Sequence, residues 1–467
     1  MNTDPLSLSF KCTLALYSTL MSLIAPLLRV KAIRRGKKEP GYLHAIEQRF
    51  ADYGKQVNDP VHTFKSGAIW IHAVSLGETR AAQVLVKGLL ESINSASKVG
   101  ENPPRFLLTH STATGRQAGI ELIDQLGLTE SNALQVWYPW DTPGAVSRFL
   151  KQFKPRLGLL METEVWPNMV LACQQNLIPL ILVNARMNDK SFKSAQALGA
   201  FAQTVYKRLT AVLAQSPADA TRLRALGAPV TASLGNLKFD ATINQDQLIL
   251  GRSFAQRFKV QHQKPIIVFA SSRQGEEALF FHALLANRTL IQGVQWLVVP
   301  RHPQRFGEVS NIGLQFGFAV SKRANALPEP NAEGEYFEQS TFNPNLLANI
   351  WLGDTVGQMP IYYGMADVVL LGGSFEPFGG QNLIEAAACG CPLVMGPHVF
   401  NFSQAANQAL ERGAALQVPS LHGACQVAHQ IALNPTQQKK MSQLALEFAS
   451  DNRGAVSKTI DALEAYI

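Results

Sequence analysis

A chain of 467 residues exceeds what one hydrophobic core ordinarily holds, so two domains are expected. With 46% hydrophobic and 16% charged residues it reads as a well-packed globular protein with some surplus apolar surface. The net charge of +8, from 42 basic and 34 acidic side chains, suits an anionic partner. Zinc-finger spacing, a basic recognition helix and an aromatic RNA-binding signature are missing from the sequence, which sets nucleic acid aside as that partner.

In chain order, the first feature is LSLSFKCTLALYSTLMSLIAPLLRV at residues 6–30. Its apolar run from Leu14 to Val30 is barely long enough to span a bilayer and is interrupted by Ser and Thr. Arg29, Lys31, Arg34, Arg35, Lys37 and Lys38 follow the apolar part, whereas a signal peptide carries its positive charge before it. Basic residues in that position favour anionic headgroups of a cytoplasmic leaflet. Residues 1–38 are therefore expected to anchor the chain in a membrane, spanning or monotopic; the plain alternative is an amphipathic helix packed on its own domain. The cysteines Cys12, Cys173, Cys389, Cys391 and Cys425 are odd in number and scattered, as in a cytosolic-facing protein without a disulfide framework.

From residue 68 strand and helix patterns alternate. Strands are expected at 68–74, 105–110, 133–139, 156–162, 177–185, 211–216 and 230–235, with helices such as Thr112–Leu126 between them. The pattern breaks near Asn236–Arg252 and restarts at 264–272, 295–300, 350–352, 366–371 and 392–396. Strands separated by helix-length segments imply parallel sheets covered on both faces. Two such halves predict an α/β architecture of two doubly wound, Rossmann-like domains facing a cleft, at 39–236 and 237–467. A surface loop is expected at Asn325–Asn345. One last helix, about Pro435–Ile467, is expected to pack back across the junction.

Ligands of open parallel sheets collect beyond the carboxyl ends of the strands. After the first strand come Ser75-Leu76-Gly77-Glu78, which reads equally as a capping box and as a general base on a glycine-opened approach. After the fourth come Glu162, Thr163 and Glu164, two carboxylates where capping needs at most one. Asn184, Arg186 and Asn236-Leu237-Lys238 follow later strands. In the second half Ser271 to Glu277 read as a helix start, and Pro300-Arg301-His302-Pro303 offers Arg301 as a phosphate partner. Asp354 to Gln358 form a polar loop. Gly379 and Gly380 open a helix with Glu385 on its first turn; this stretch is either a tight turn or a site with N–H groups facing an anion. Asp-x-Asp is absent, as are a Walker loop, a Gly-x-Ser-x-Gly elbow and a Gly-x-Gly-x-x-Gly after the first strand. The expectation is a metal-independent enzyme that neutralises a leaving phosphate with Lys, Arg and helix N-termini.

The motifs HAVSLGETRAA, METEVWPN, VNARM, GNLKFD, VVPRHPQRF, GDTVGQ and GGQNLIEAAA with MGPHVFNF, in order from 72 to 402, resemble those of the bacterial Kdo transferases. These lipopolysaccharide enzymes move 3-deoxy-D-manno-octulosonic acid (Kdo) from CMP-Kdo to a lipid A precursor. The resemblance implies a GT-B fold, inverting transfer without cofactor or metal, and an inner-membrane location with the catalytic domains on the cytoplasmic side. It implies Glu78 as proton acceptor, and Glu162 and Lys238 as transition-state stabilisers. It implies contacts to CMP from Arg301 and His302, from Gly357, Gln358 and Met359, and from Asn382, Leu383, Ile384 and Glu385. The chain departs from the family pattern at Gln381, where His is usual, and at Gln358, where Glu is common. Two other readings stay open: an NDP-sugar 2-epimerase of the same architecture, and a non-catalytic membrane-bound nucleotide-sugar binder.

Overall fold

A computed structural model describes residues 6–37, 39–54, 59–96, 104–322 and 349–467; the loop expected at Asn325–Asn345 lies outside them. The chain forms two compact units, with crossings after Ala241 and after Asn452.

The first unit is built on seven parallel strands: β1 Ile69–His72, β2 Phe106–His110, β3 Ala133–Trp137, β4 Leu157–Met161, β5 Leu180–Ala185, β6 Ala211–Ala214 and β7 Val230–Ser233. Their spatial order is β3-β2-β1-β4-β5-β6-β7, so the winding direction reverses between β1 and β4. Nearly every residue of β1, β2, β4, β5 and β6 is buried, which is why these strands read as continuous apolar runs. Helices cover both faces: Trp70, Phe149 and Phe153 lie in one layer, and Ile71, Leu85 and Leu159 in the other. Burying each such side chain contributes roughly 1.5–3 kcal/mol before the entropy of ordering is subtracted.

The second unit repeats the plan with β8 Ile266–Ser272, β9 Gln295–Pro300, β10 Val320–Lys322, β11 Ile350–Leu352, β12 Val368–Leu371, β13 Leu393–Met395 and β14 Ala415–Gln417, in the order β10-β11-β9-β8-β12-β13-β14. Here the reversal lies between β8 and β12. The edge strands β10 and β14 were not anticipated: they are three residues long and only partly buried, so they leave no apolar run.

The first boundary falls later than the expected 236. The turn Leu237–Asp240 belongs to the first unit, where Leu237 is buried and its N–H donates to Asn184 Oδ1 at 3.1 Å. The expected last helix is two helices, Pro435–Asp451 and Ala455–Leu463. Gly454 separates them at φ 92°, a left-handed value that ends a helix in most side chains' reach but suits glycine. The second of the two packs against the helix Leu76–Ala96 of the first unit. Residues Leu8–Gly36 form one helix of 29 residues. Cys12 is exposed, the other four cysteines are buried, and all five are free thiols.

Candidate active site

The polar residues singled out in the sequence gather in two places, one at each reversal point. In the first unit β1 ends at His72 and the helix Leu76–Ala96 starts four residues on, with Glu78 in its first turn. Glu78 Oε2 accepts the Val74 N–H at 2.5 Å and Oε1 accepts the Ser75 hydroxyl at 3.4 Å. The carboxyl group thus makes a local contact at the helix start, to the Val74 N–H and not to the Ser75 N–H that a capping box uses. That contact does not account for the surroundings of the carboxyl group, whose pKa is pushed up from 4.5 to about 8. Burial is the main cause and the negative charges of Glu162 and Glu164 add to it; the Val74 N–H and the Lys238 ammonium act in the opposite sense.

Glu162 follows β4, the neighbour of β1, and has a left-handed φ of 60°. That backbone is fixed on both sides, its N–H donating to Val183 O (3.0 Å) and its carbonyl accepting from Arg186 N (3.1 Å). The bend turns the buried side chain toward Lys238, whose Nζ stands 2.6 Å from Glu162 Oε1. Lys238 sits on the short turn after β7. Asn236 Oδ1 accepts the Lys238 N–H (3.0 Å), and Asn184, left-handed at φ 54°, accepts that of Leu237. Asp240 closes the turn by accepting the Gly454 and Val456 N–H groups, both at 2.6 Å. Glu164 accepts the Trp166 indole N–H at 2.8 Å, and burial raises its pKa. Three carboxylates and one ammonium thus lie within electrostatic reach of one another beyond the carboxyl ends of β1, β4 and β7.

The second unit gathers cations. Arg301 donates through its backbone N–H to Ser272 O (3.0 Å) and through Nε to Gln381 Oε1 (3.2 Å). The neighbouring His302 has a lowered pKa, chiefly through burial and then through the charges of Arg273, Arg301 and Arg305, so it is neutral at neutral pH. Arg305 is compensated by Glu277, bidentate at 2.7 and 3.1 Å, and by Glu308 at 2.9 Å. Arg273 lies over the Phe378 ring, 4.7 Å from its centroid. The loops stay in place through Glu276, fully buried, whose carboxylate accepts the N–H groups of Arg273 (2.9 Å), Gly373 (2.7 Å) and Phe375 (3.1 Å). Glu276 and Glu277 look like a helix start in sequence; in the fold they fasten the loops after β8, β9 and β12.

Asn382 caps the helix Leu383–Ala388, its Oδ1 accepting the Ile384 N–H at 3.2 Å. Leu383 and Ile384 are core side chains. Glu385 is half-buried on the same turn. Burial and the Glu385 charge raise the pKa of the buried Tyr363 hydroxyl while Arg301 lowers it, so both groups border one region. Gly357 has φ 75° before Gln358, the residue capping the helix Met359–Met365. Gln358 Oε1 is buried and has no hydrogen-bond partner among the described residues. At Gly372 an added Cβ would stand 2.4 Å from Ser271 O, so β12 and the β8 loop can meet only at glycine.

A family profile described as 3-Deoxy-D-manno-octulosonic-acid transferase (kdotransferase) matches residues 44–241. The 3-deoxy-D-manno-octulosonic acid transferase of Bordetella pertussis is 38% identical over 97% of this chain and 99% of its own. The chain belongs to the Kdo transferase family. Its two Rossmann-like units are those of the GT-B fold. A glycosyltransferase structure from Rickettsia africae ESF-5 superposes with a TM-score of 0.54 at 12% identity, covering 86% of this chain and 99% of the other. The UDP-GlcNAc 2-epimerase of Neisseria meningitidis, bound to UDP-GlcNAc, gives 0.54 at 13% identity, covering 85% and 99%. At such identities both likenesses speak to fold alone, and the fold is common to transferases and epimerases. Sequence relatedness separates them, and it places this Kdo transferase among the glycosyltransferases.

Sequence reading did not anticipate the parts of Asn184, Asp240 and Glu276. Asn184 and Asp240 hold the Lys238 turn, and Glu276 holds the arginine loops. Asn184 offered one signal, since asparagine is among the few residues that enter the left-handed region readily.

Proposed function

We propose that this Kdo transferase moves Kdo from CMP-Kdo to a phosphorylated lipid A precursor, lipid IVA, by a single inverting displacement at the cytoplasmic face of the inner membrane. Glu78 takes the proton from an acceptor hydroxyl as its oxygen attacks the anomeric carbon of Kdo. The bond from that carbon to the CMP phosphate oxygen breaks, and its electron pair leaves with CMP. Glu162 and Lys238 stabilise the charge that develops in the transition state.

The second unit holds the nucleotide. Arg301 and the N–H groups of Gly357, Gln358, Met359 and Leu383 take the phosphate, neutral His302 donates a hydrogen bond, and Glu385 accepts the ribose hydroxyls. Asn382, whose Oδ1 caps the helix, has its amide N–H groups left to give. The basic flank of the amino-terminal helix attracts the anionic leaflet.

The observation that carries this reading is Glu78, a carboxyl group with a pKa near 8 beside an ion pair at a sheet reversal point. The test is incubation of the full chain with CMP-Kdo and a tetra-acylated lipid A precursor, with products read by mass. Glu78→Gln is expected to lose transfer by about 100-fold or more while still binding CMP. Near-normal turnover by that variant would remove the base assignment, and Kdo transfer to another acceptor only would remove the acceptor.

A further inference from the structure

We propose that the amino-terminal helix lies flat on an anionic lipid bilayer without crossing it, clamped along its length to the first unit and turning a ridge of leucines to the lipid. The proposal rests on the membrane location proposed above and specifies how the chain meets that membrane.

The helix Leu8–Gly36 measures about 43 Å at 1.5 Å per residue, enough to cross a hydrocarbon core of about 30 Å. Length and composition therefore pass it as a span. Its contacts with the rest of the first unit are one-sided and run from end to end. Phe10, Tyr17, Ser18, Ala25, Ala32 and Gly36 are buried or half-buried and recur at helical spacing along one face, from the first turn to the last. Phe10 stacks on Phe201 at 5.3 Å. At mid-helix the Tyr17 hydroxyl donates to Asp141 Oδ2 and the Ser18 hydroxyl to Asn168 Oδ1, both at 2.9 Å. At the far end Gly36 packs so closely that an added Cβ would lie 2.5 Å from Leu43.

Asp141 also accepts the Asn168 and Met169 N–H groups, which open the helix after the Glu162–Trp166 loop. A helix spanning the bilayer in this docked state would draw the buried Asp141 into hydrocarbon. Undocking it would break the Tyr17–Asp141 and Ser18–Asn168 hydrogen bonds.

The opposite face is a continuous apolar ridge of Leu16, Leu20, Leu23, Leu27 and Val30, between 45% and 71% exposed. These positions recur at three and four residues, so they line one side. The helix contains no acidic residue, and Lys31 and Arg34 flank the end of the ridge. Arg29 and Arg35 pair with Glu47 and Glu39. An apolar ridge bordered by cations matches an anionic bilayer surface, which takes such a face to a depth of about 5–10 Å.

The test uses the full chain with exposed Cys12 replaced by Ser and one cysteine placed at Leu16, Leu23 or Val30. Each carries an environment-sensitive fluorophore, and each variant is first checked for an unchanged melting transition. Vesicles of phosphatidylethanolamine and phosphatidylglycerol carry quenchers at graded depths. Equal, shallow quenching at all three positions is expected. A depth that changes steadily along the helix means a span and overturns the proposal while keeping the membrane location. Failure to float with vesicles overturns the location itself. Shielded labels with doubled mass and no lipid quenching would assign the ridge to a second copy of the chain and also overturn the proposal. Independently of any label, Lys31→Gln with Arg34→Gln should weaken binding roughly 30-fold on anionic vesicles and little on zwitterionic ones. An unchanged affinity would refute the electrostatic part.

Discussion

Lys238 Nζ lies 2.6 Å from Glu162 Oε1, although the two residues come from different strand ends and are 76 positions apart in sequence. Only 15% and 9% of their side chains are exposed, so the pair is largely shielded from water. Lys238→Ala leaves a buried carboxylate unpaired and is expected to cost about 2–4 kcal/mol in a urea melt. It also removes a charge that holds the Glu78 pKa down, so any residual activity should titrate at higher pH than in the native chain.

The pH response of Glu78 has a definite sign. Its folded pKa of about 8 lies above the ordinary 4.5, so the folded chain keeps a proton that the unfolded chain has released. Stability from this group is complete below pH 4.5 and declines as pH rises toward 8. Glu78→Gln should therefore melt higher than the native chain at pH 8–9, by roughly 1–3 kcal/mol, with a much smaller gap at pH 5. Transfer by the native chain should climb through pH 8, because only the ionised carboxylate accepts a proton. A rate that is flat from pH 6 to 9 would contradict both the pKa and the role.

Gln381 accepts a hydrogen bond from Arg301 Nε. Gln381→Leu removes that hydrogen bond and loosens the guanidinium. CMP affinity measured by calorimetry should fall roughly tenfold, corresponding to about 1.4 kcal/mol, with little change in the melting transition. Gln381→His should make CMP binding pH-dependent near pH 6–7, a dependence the native glutamine cannot produce.

Glu276 joins three backbone N–H groups from two loops. Glu276→Ala orphans all of them and should destabilise the second unit by about 3 kcal/mol or more. Because the two units have separate cores, the melt should split into two transitions, with the lower one sensitive to CMP. A single unshifted transition would mean that water replaces the carboxylate without loss.

How legible was this in sequence? The buried parallel strands were, because β1, β2, β4 and β8 are uninterrupted apolar runs ended by glycine or polar residues. The edge strands β10 and β14 were not, since half-buried strands of three residues have neither length nor period. Glu78, Glu162 and Lys238 are candidates because of their places after strands and their motifs. Their mutual distances depend on the left-handed bends at Glu162 and Asn184, which no periodicity encodes. The amino-terminal helix illustrates the same limit. Its docked face includes Ala25, Ala32 and Gly36, small residues that leave little apolar signal, and the large leucines that give it its hydropathy point outward.

Asp240 has a consequence for how the gene could be rearranged. By holding the Gly454 and Val456 N–H groups it brings the outgoing and returning strands of the chain side by side, just before residue 242 and just after 452. The second unit is thus a cassette inserted between two segments of the first, with entry and exit adjoining. It should be excisable at those two points, with a short Gly/Ser bridge healing the first unit. Exchange for the corresponding cassette of a relative should preserve acceptor choice while changing the donor.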